Sequence, residues 1–316
     1  MGHEWESGFV LREPAWHGLA TVVDEALNAM EAIRMAGLDW LVVKETCHRP
    51  DGRLIPGSFS TVRLKDDKIL GKVGSVYEPI QNGEMFTFFD SVFDREDGRY
   101  YHTGGSPTGG MVVWLLAKLP GDFYVVPDDR VENYILLASS HDMSIKLLAK
   151  HTPIRVVCNN TLSMALGHAS LGASVSIKHT RNYALGLMEA SRVLGLAQKR
   201  IDVMRDVAMD LARRQINRQG VGEFLEAMFP AKLNKKGKTP KQTLTKRSAV
   251  ENLFANSETN NLPGIQGTKW AMYNAVTEFV DHDMPTRGNN ADAGFRSWFG
   301  TGEAMKVKAS GLLMGT

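Results

Sequence analysis

Cysteine is scarce in this chain of 316 residues, which contains only Cys47 and Cys158. The two stand far apart in the sequence, so they supply neither a disulfide framework nor a zinc site built from paired cysteines. Low cysteine usage without disulfide-forming pairs is typical of a reducing compartment. We therefore expect a cytoplasmic location.

Long hydrophobic runs are also absent. No stretch of about eighteen apolar residues occurs, so the sequence predicts no membrane-spanning helix. The first residues lack a basic region followed by an apolar run, and we expect no signal peptide there. Hydrophobic residues make up 43% and charged residues 23% of the chain, proportions typical of a globular protein with a sizeable core.

The sequence signatures of nucleotide and metal chemistry are incomplete. Gly104–Gly110 is rich in glycine, but Met111 and Val112 follow it where a phosphate-binding loop requires Lys and then Ser or Thr. We interpret it as a hairpin turn. The pairs His141–Asp142 and Glu278–His282 do not supply the three ligands that a catalytic metal requires. The sequence thus predicts no cofactor, no metal site and no catalytic residue, and it favours a protein that is not an enzyme.

Acidic residues are missing from one segment. Residues 231–250 contain six Lys and one Arg without an Asp or Glu, and since the whole chain carries +2, the remainder sums to 2 − 7 = −5. A regional excess of positive charge indicates a polyanion-binding surface, although it also occurs in solvated loops. Because Gly237 and Pro240 interrupt the segment, we predict a basic loop at 231–247.

The pattern of elements changes near residue 180. Before it, short apolar runs separated by turn residues predict strands, and their short connections favour antiparallel pairing. Three of these strands are predicted at 40–46, 59–64 and 69–73. After residue 180, apolar residues recur at three and four positions, which predicts helices. We expect an α+β protein: a mostly antiparallel sheet with a crossing central helix in a core domain at 1–180, followed by a mainly helical region at 181–316.

The central helix is predicted from Thr152 to about residue 167. Pro153 suits the first position of a helix, and Thr152 can cap it. Leu162 lies on the apolar side of this helix. Arg155 stands near its N-terminus, where the helix dipole favours negative charge. Arg155 should therefore have an anionic partner, either a carboxylate or a phosphate.

A longer helix is predicted from about residue 183 to 217, and it contains a heptad seam at 194–211. The apolar residues of the seam are Leu194, Ala197, Ile201, Met204, Ala208 and Leu211. Such a seam packs either on the core of its own chain or on a second copy of the protein. The second alternative predicts a homo-oligomer.

Basic residues also occur in clusters outside the acid-free segment. If the sheet brings these clusters together, they form a groove that pairs with phosphates, and nearby Tyr side chains are available for base stacking. The predicted nucleic-acid-binding residues, including three from the basic loop, are Arg63, Lys65, Lys72, Arg155, Lys178, His179, Arg181, Lys235, Lys236 and Lys238.

Five short motifs, in this order, resemble one known family. They are Trp16–Leu19, Gly74–Asn82, Ser140–Asp142, Thr152–Leu162 and Lys269–Glu278. Over about residues 10–285 the chain is similar to the phage/plasmid-like family known as domain of unknown function 932. The resemblance implies a protein of a mobile genetic element in a bacterium or its phage, where recombination and evasion of restriction are common tasks. It implies no particular reaction.

Three functions are compatible with these features. The leading hypothesis is a DNA-binding protein that anneals or protects single-stranded DNA in recombination, similar in broad plan to Rad52-like annealing proteins. One alternative is an interaction protein that inhibits a host restriction or repair system and docks through the heptad seam and the helix around Trp270. The other is a metal-dependent nucleic-acid hydrolase that uses His141, Asp142 and Glu278.

Overall fold

The computed structural model describes residues 7–11, 21–23, 28–90, 100–106, 109–158, 160–164, 174–231, 237–284 and 300–315. The chain groups into two compact units that alternate along the sequence. Unit 1 comprises Met1–Pro120, Asn133–His151 and Gly172–Gln198, and unit 2 comprises Gly121–Glu132, Thr152–Leu171 and Lys199–Thr316. A division into domains near residue 180 stays a prediction.

Eleven strands are described. They are β1 (Ser7–Leu11), β2 (Thr21–Val23), β3 (Val42–His48), β4 (Leu54–Arg63), β5 (Lys68–Gly74), β6 (Tyr100–Ser106), β7 (Val112–Tyr124), β8 (Arg130–Ser140), β9 (Leu147–Arg155), β10 (Asn160–Thr161) and β11 (Ser174–Ile177). Eight of them form one sheet in the order β10-β9-β8-β7-β6-β1-β2, with β11 also paired to β9. The pairs β1–β6, β6–β7, β9–β10 and β9–β11 are antiparallel, and β1–β2 is parallel.

The core of unit 1 lies around the middle strands of the large sheet. Residues 134–138 of β8 are all buried, as are residues 112–119 of β7. Successive side chains of a strand point to opposite faces. Consecutive burial therefore means that both faces of these strands are covered, which explains why their sequences are mostly apolar, with the exception of Lys118, instead of alternating.

The remaining strands form a separate antiparallel sheet in the order β3-β4-β5. These are the three strands predicted at 40–46, 59–64 and 69–73, displaced by a few residues. Asp67 in the β4–β5 turn has a positive φ of 56°, a conformation that Asp tolerates better than most residues. The short turn keeps β4 and β5 adjacent.

Seven α-helices are described, most of them in the C-terminal half. They are α1 (Ala29–Met35), α2 (Asn82–Asp90), α3 (Tyr183–Arg213), α4 (Arg218–Met228), α5 (Lys241–Asn256), α6 (Lys269–Glu278) and α7 (Thr301–Met314). Antiparallel sheets followed mainly by helices confirm the predicted α+β class. None of the described helices combines the length and the apolar character needed to cross a membrane.

The predicted central helix is wrong for the residues that the structure describes. Thr152–Arg155 complete β9, Val156–Cys158 form one 3₁₀ turn, and β10 then pairs back with β9. β-branched residues are frequent in this stretch and favour extended backbone. Pro153 has no N–H to donate, but its carbonyl oxygen accepts from the N–H of Leu162. Residues 165–167, the predicted end of the helix, lie outside the described part.

The four seam residues whose side chains are described pack within their own chain. Ile201, Met204, Ala208 and Leu211 of α3 are each no more than 2% exposed. These four positions are therefore not available to a second copy. The side chains of residues 185–198 are not described, and these residues include Leu194 and Ala197 of the seam.

Candidate nucleic-acid interface

The acid-free segment contains the start of a helix. Because α5 begins at Lys241, the predicted basic loop at 231–247 is wrong from that residue onward. The N-cap residue is Pro240, which offers no side-chain hydrogen bond to the first turn. The N–H groups of Thr243 and Leu244 donate to the carbonyl oxygen of Pro240 at 3.0 and 3.2 Å. No acidic residue occupies the first turn, so the first turn itself supplies no carboxylate to offset the positive end of the helix dipole.

The residues at this helix start face solvent. Lys238, Lys241 and Gln242 are exposed, whereas Val250 further along α5 is fully buried. We call residues 237–246 the basic helix start. A helix N-terminus attracts phosphate through its N–H groups and its dipole, and neighbouring lysines add formal charge of the same sign. This surface is thus suited to an anion. The predicted contacts Lys235 and Lys236 lie outside the described residues.

Arg247 belongs to the same basic run but has a structural role. Its Nε and Nη2 donate to the carbonyl oxygen of Phe229, at 3.1 and 2.8 Å, and its Nη1 lies 3.7 Å from Glu226. Lys308 similarly donates to the carbonyl oxygen of Met228 at 2.9 Å. Both cations satisfy carbonyl groups at the end of α4, where a helix leaves them without partners.

Arg63 is a predicted nucleic-acid contact, but it does not lie at the surface. It is buried in unit 1, and its Nε and Nη2 donate to the two carboxylate oxygens of Asp66 at 2.8 and 2.6 Å. The guanidinium also lies over the ring of Trp40, 5.2 Å from its centroid. Its hydrogen bonds hold the pKa of the Asp66 carboxyl below its ordinary value. The guanidinium of Arg63 is thus already paired with the carboxylate of Asp66.

His179 is also a predicted nucleic-acid contact, and it is unsuitable because it is a buried, neutral side chain. It is buried, stacks on Tyr77 with ring centroids 4.9 Å apart, and places Nε2 3.4 Å from the hydroxyl of Ser139. Burial lowers the pKa of His179 to about 4. The ring is therefore neutral at pH 7 and cannot act as a cation towards phosphate. By contrast, Lys178, which precedes it, is exposed.

Arg155 is fully buried in unit 2 and binds Asp129 at two points. Its Nε lies 2.5 Å from Oδ1 of Asp129 and its Nη2 lies 3.1 Å from Oδ2. Burial acts to lower the pKa of Arg155, but its contacts with Cys158 and Asp129 hold that pKa above its ordinary value. The anionic partner predicted for Arg155 is thus a carboxylate. Arg155 is not a phosphate contact.

The residues around this ion pair come from distant parts of the chain. Arg155 also donates to the carbonyl oxygen of Thr259 at 2.5 Å and to the side-chain oxygen of Asn260 at 3.1 Å. Trp270 donates its indole N–H to Asp129 at 2.7 Å. The sequence did not indicate that Asp129, Asn260 and Trp270 form one cluster with Arg155, because no motif connects Asn260 and Trp270 with residues so far from them in the chain.

A second buried cation lies in unit 2. Lys306 of α7 donates to Asp281 and to the hydroxyl of Thr161, both at 2.5 Å, and Asp281 accepts the backbone N–H of Thr161 at 2.9 Å. Burial lowers the pKa of Lys306, and Asp281 opposes this shift. The pair ties α7 to the short strand β10. It is enclosed and offers no surface to a ligand.

The residues proposed for a metal-dependent hydrolase have other partners. His141 is fully buried, with Nε2 3.0 Å from the side-chain oxygen of Asn82, and burial together with His179 lowers its pKa to about 3. Glu278 accepts hydrogen bonds from Ser257 and Asn260. In the described part of the chain, no three His, Cys, Asp or Glu side chains group together as metal ligands.

The docking helix proposed for an interaction protein is internal. Every residue of α6 from Trp270 to Thr277 is buried. Its apolar residues are therefore core residues and not a surface for a partner.

Four predicted contacts in unit 1 remain on the surface. Lys65 and Lys72 lie at the β4–β5 turn and on β5, and Lys178 and Arg181 follow β11; all four are exposed. In unit 2, Lys238 of the basic helix start is also a predicted contact that is exposed. These five exposed residues are the part of the predicted interface that the described structure leaves at the surface.

Comparisons with known proteins give one family and two partial matches. The family model described as a domain of unknown function (DUF932) matches residues 69–297. The tRNA-specific 2-thiouridylase MnmA of Pasteurella multocida (strain Pm70) is 38% identical over 71 residues, which are 22% of this chain and 18% of that protein. MnmA of Actinobacillus pleuropneumoniae (serotype 5b, strain L20) is 37% identical over 71 residues, with the same shares. The chain thus spans less than a fifth of these relatives. No solved structure matches.

Proposed function

We propose, for a chain that belongs to the family described as domain of unknown function 932, that it is a DNA-binding protein of phage or plasmid type that anneals or protects single-stranded DNA in recombination. The family description states no activity, and the partial matches cover too little of either protein to supply one. What supports DNA binding is therefore the surface of this chain.

The observation that carries the proposal is the basic helix start. Lys238 and Lys241 are exposed beside a helix N-terminus whose first turn has no acidic residue. Phosphate groups are the anions that such a combination recognises best, since N–H groups, the helix dipole and formal charge all act in the same direction. The surrounding residues 231–250 contain no acid that would repel a phosphate backbone.

Single-stranded DNA suits this surface because a flexible strand presents its phosphates without a fixed groove geometry. Binding of this kind depends mainly on phosphate contacts, so affinity should fall steeply as salt increases. It should also vary little with base sequence, because a phosphate carries no sequence information.

A gel-shift titration with single-stranded oligonucleotides, run beside a strand-annealing assay, tests the proposal. The variant is Lys238→Gln with Lys241→Gln. The control is Lys199→Gln with Arg213→Gln, which changes the net charge equally at exposed positions of α3. The first variant should bind more weakly, and the slope of log affinity against log salt should become shallower by about 1.4, or 0.7 for each lost phosphate contact.

Two results would overturn the proposal. One is binding that is absent or insensitive to salt in the unmodified protein. The other is an equal loss of affinity in the two double variants, since net charge alone would then explain the effect. Binding without any acceleration of annealing would limit the function to protection of single strands.

A further inference from the structure

The three-stranded sheet has two faces with different surroundings. Its inner face carries Arg63, over the ring of Trp40, and Thr61, whose hydroxyl donates to the carbonyl oxygen of His141 at 2.6 Å. Adjacent side chains in a strand point to the opposite face. We call that opposite side the outer face, and its residues include Leu41, Val43, Glu45, Ser60, Val62, Leu64, Ile69 and Lys72.

One half of the outer face is apolar, and three of its large aliphatic side chains reach solvent around Val62, which is itself buried. Leu41 is 57%, Leu64 49% and Ile69 68% exposed. The N–H of Leu64 donates to the carbonyl oxygen of Leu41, and Val62 lies opposite both Val43 and Ile69. The side chains of such pairs are neighbours on the sheet surface. A group of exposed large aliphatic side chains marks a contact surface.

The next row across the sheet is polar, with opposite charges at its two ends. Glu45 of β3 lies opposite Ser60 of β4, which lies opposite Lys72 of β5. Two strand spacings, roughly 9.6 Å, therefore separate the backbones of Glu45 and Lys72. Both charged residues are exposed. The row is negative at one edge of the sheet and positive at the other.

This charge pattern is complementary to itself under one kind of symmetry. A two-fold axis parallel to β4 exchanges the two edges of the sheet but keeps each row at its own height. When a second copy is laid on the outer face about this axis, Glu45 faces the partner's Lys72, and Lys72 faces the partner's Glu45. The apolar half packs on the apolar half. An axis perpendicular to the strands would keep each edge over itself and bring like charges together.

We propose that the outer face is the interface of a homodimer in which the sheets of two copies pack face to face, with Glu45 of each copy paired to Lys72 of the other. Contacts in closed dimers are of this isologous kind, because each surface patch meets its own copy. A nucleic acid fits the outer face less well. Glu45 repels phosphate, and none of the residues that form this face is an aromatic that could stack on a base.

The proposal has consequences for affinity and for Lys72. Three short strands offer a small area, so we expect a dimer at the weak end of specific association. Lys72 would be covered in the dimer and would no longer contact DNA. The basic helix start does not include any residue of the outer face, so DNA binding by Lys238 and Lys241 can succeed or fail independently of this dimer.

Sedimentation equilibrium of the full chain over a wide range of concentration tests the proposal through a charge exchange. Because each residue occurs twice in the interface, Glu45→Lys alone or Lys72→Glu alone creates two repulsive pairs and should weaken dimerisation by at least about tenfold. The double variant Glu45→Lys with Lys72→Glu restores both pairs with reversed signs. Its dimerisation should return to nearly the original strength.

The apolar half of the interface is tested with a matched pair of substitutions. Ile69→Gln should abolish or strongly weaken the dimer, since Ile69 would be covered by the partner. Met30→Gln is the control, because Met30 of α1 is 52% exposed and lies outside the three strands. Both changes are at exposed positions, and circular dichroism should show an unchanged fold.

Two outcomes would overturn the dimer proposal. The first is a protein that stays monomeric at every concentration tested. The second is a dimer whose strength is the same in the unmodified protein, the single charge variants and Ile69→Gln, because association would then use a different surface.

Discussion

Arg155 and Asp129 form a two-point ion pair in which neither side chain is exposed to solvent. Removing both charges from water is costly, and their hydrogen bonds to each other and to neighbouring groups offset that cost. Thr259, Asn260 and Trp270 form hydrogen bonds with this pair and make one cluster with it. Arg155 therefore stabilises unit 2 and does not bind DNA.

Replacing Arg155 with Met should destabilise the protein by about 3 to 5 kcal/mol, because Asp129 would remain as a buried charge without its partner. Urea unfolding measures the change. The control is Arg130→Met, which removes ion pairs with Asp122 at 2.6 Å and with Glu132 at 2.8 Å from a residue whose side chain is 40% exposed. The control should cost less than about 1 kcal/mol. Equal losses of stability in the two variants would show that burial does not make the Arg155 pair more important for stability than an exposed pair.

Stability should decrease as the pH falls from about 6.5 to about 4. His179 has a folded-state pKa of about 4, below its ordinary value of 6.5, because burial opposes its charged form. Between these two values the unfolded chain binds a proton that the folded chain does not, so acid favours unfolding, and above pH 6.5 this contribution is complete. Urea unfolding at a series of pH values measures the slope.

His179→Phe isolates this contribution, because Phe can keep the stacking on Tyr77 but cannot bind a proton. In the middle of that pH range, the slope of stability against pH should decrease by up to about 1.4 kcal/mol per unit, the value for one proton. The comparison variant is the same change at the exposed His48. An unchanged slope in His179→Phe would contradict the assignment of His179 as a buried neutral residue.

Gly71→Ala should destabilise unit 1. A Cβ at Gly71 would lie 2.5 Å from Cα of Asp142 and 2.7 Å from its Cβ, so the backbone of β5 or of the Asp142 turn must move. We expect a cost of about 1 to 3 kcal/mol, the usual range for overpacking. Gly74→Ala is the control on the same strand, because nothing lies within 4 Å of a Cβ there. Thermal or urea unfolding should separate the two variants clearly; equal stabilities would mean that β5 moves away from the turn freely.

Sequence reasoning located the three-stranded sheet because local signals were sufficient. Apolar runs of strand length alternate there with short turns such as Asp66–Asp67, and antiparallel pairing of consecutive strands needs only neighbours in sequence. Likewise, the apolar spacing of Ile201, Met204, Ala208 and Leu211 predicted both a helix and its buried side.

The segment from Thr152 to Leu162 shows where local reasoning failed. A cap residue followed by Pro predicts a helix start, yet Thr152–Arg155 extend an existing strand, whose last residues pair with the short strand β10. Pairing with β10 and packing of the sheet outweigh the weak helix signal, since cap preferences contribute only about 1 kcal/mol. Leu162 is buried as expected, but not on a helix.

The α+β class and the acid-free basic segment follow from the sequence alone, because composition and periodicity act locally. Arg155 was expected to have an anionic partner because it was placed at a helix N-terminus, and that helix is absent from the described residues. The partner, Asp129, the neutral state of His179 and the exposure of Lys238 and Lys241 follow from the folded structure. These properties depend on burial and on contacts between distant segments. Folding encloses Arg155 with a carboxylate in the core, whereas it leaves the side chains of Lys238 and Lys241 exposed.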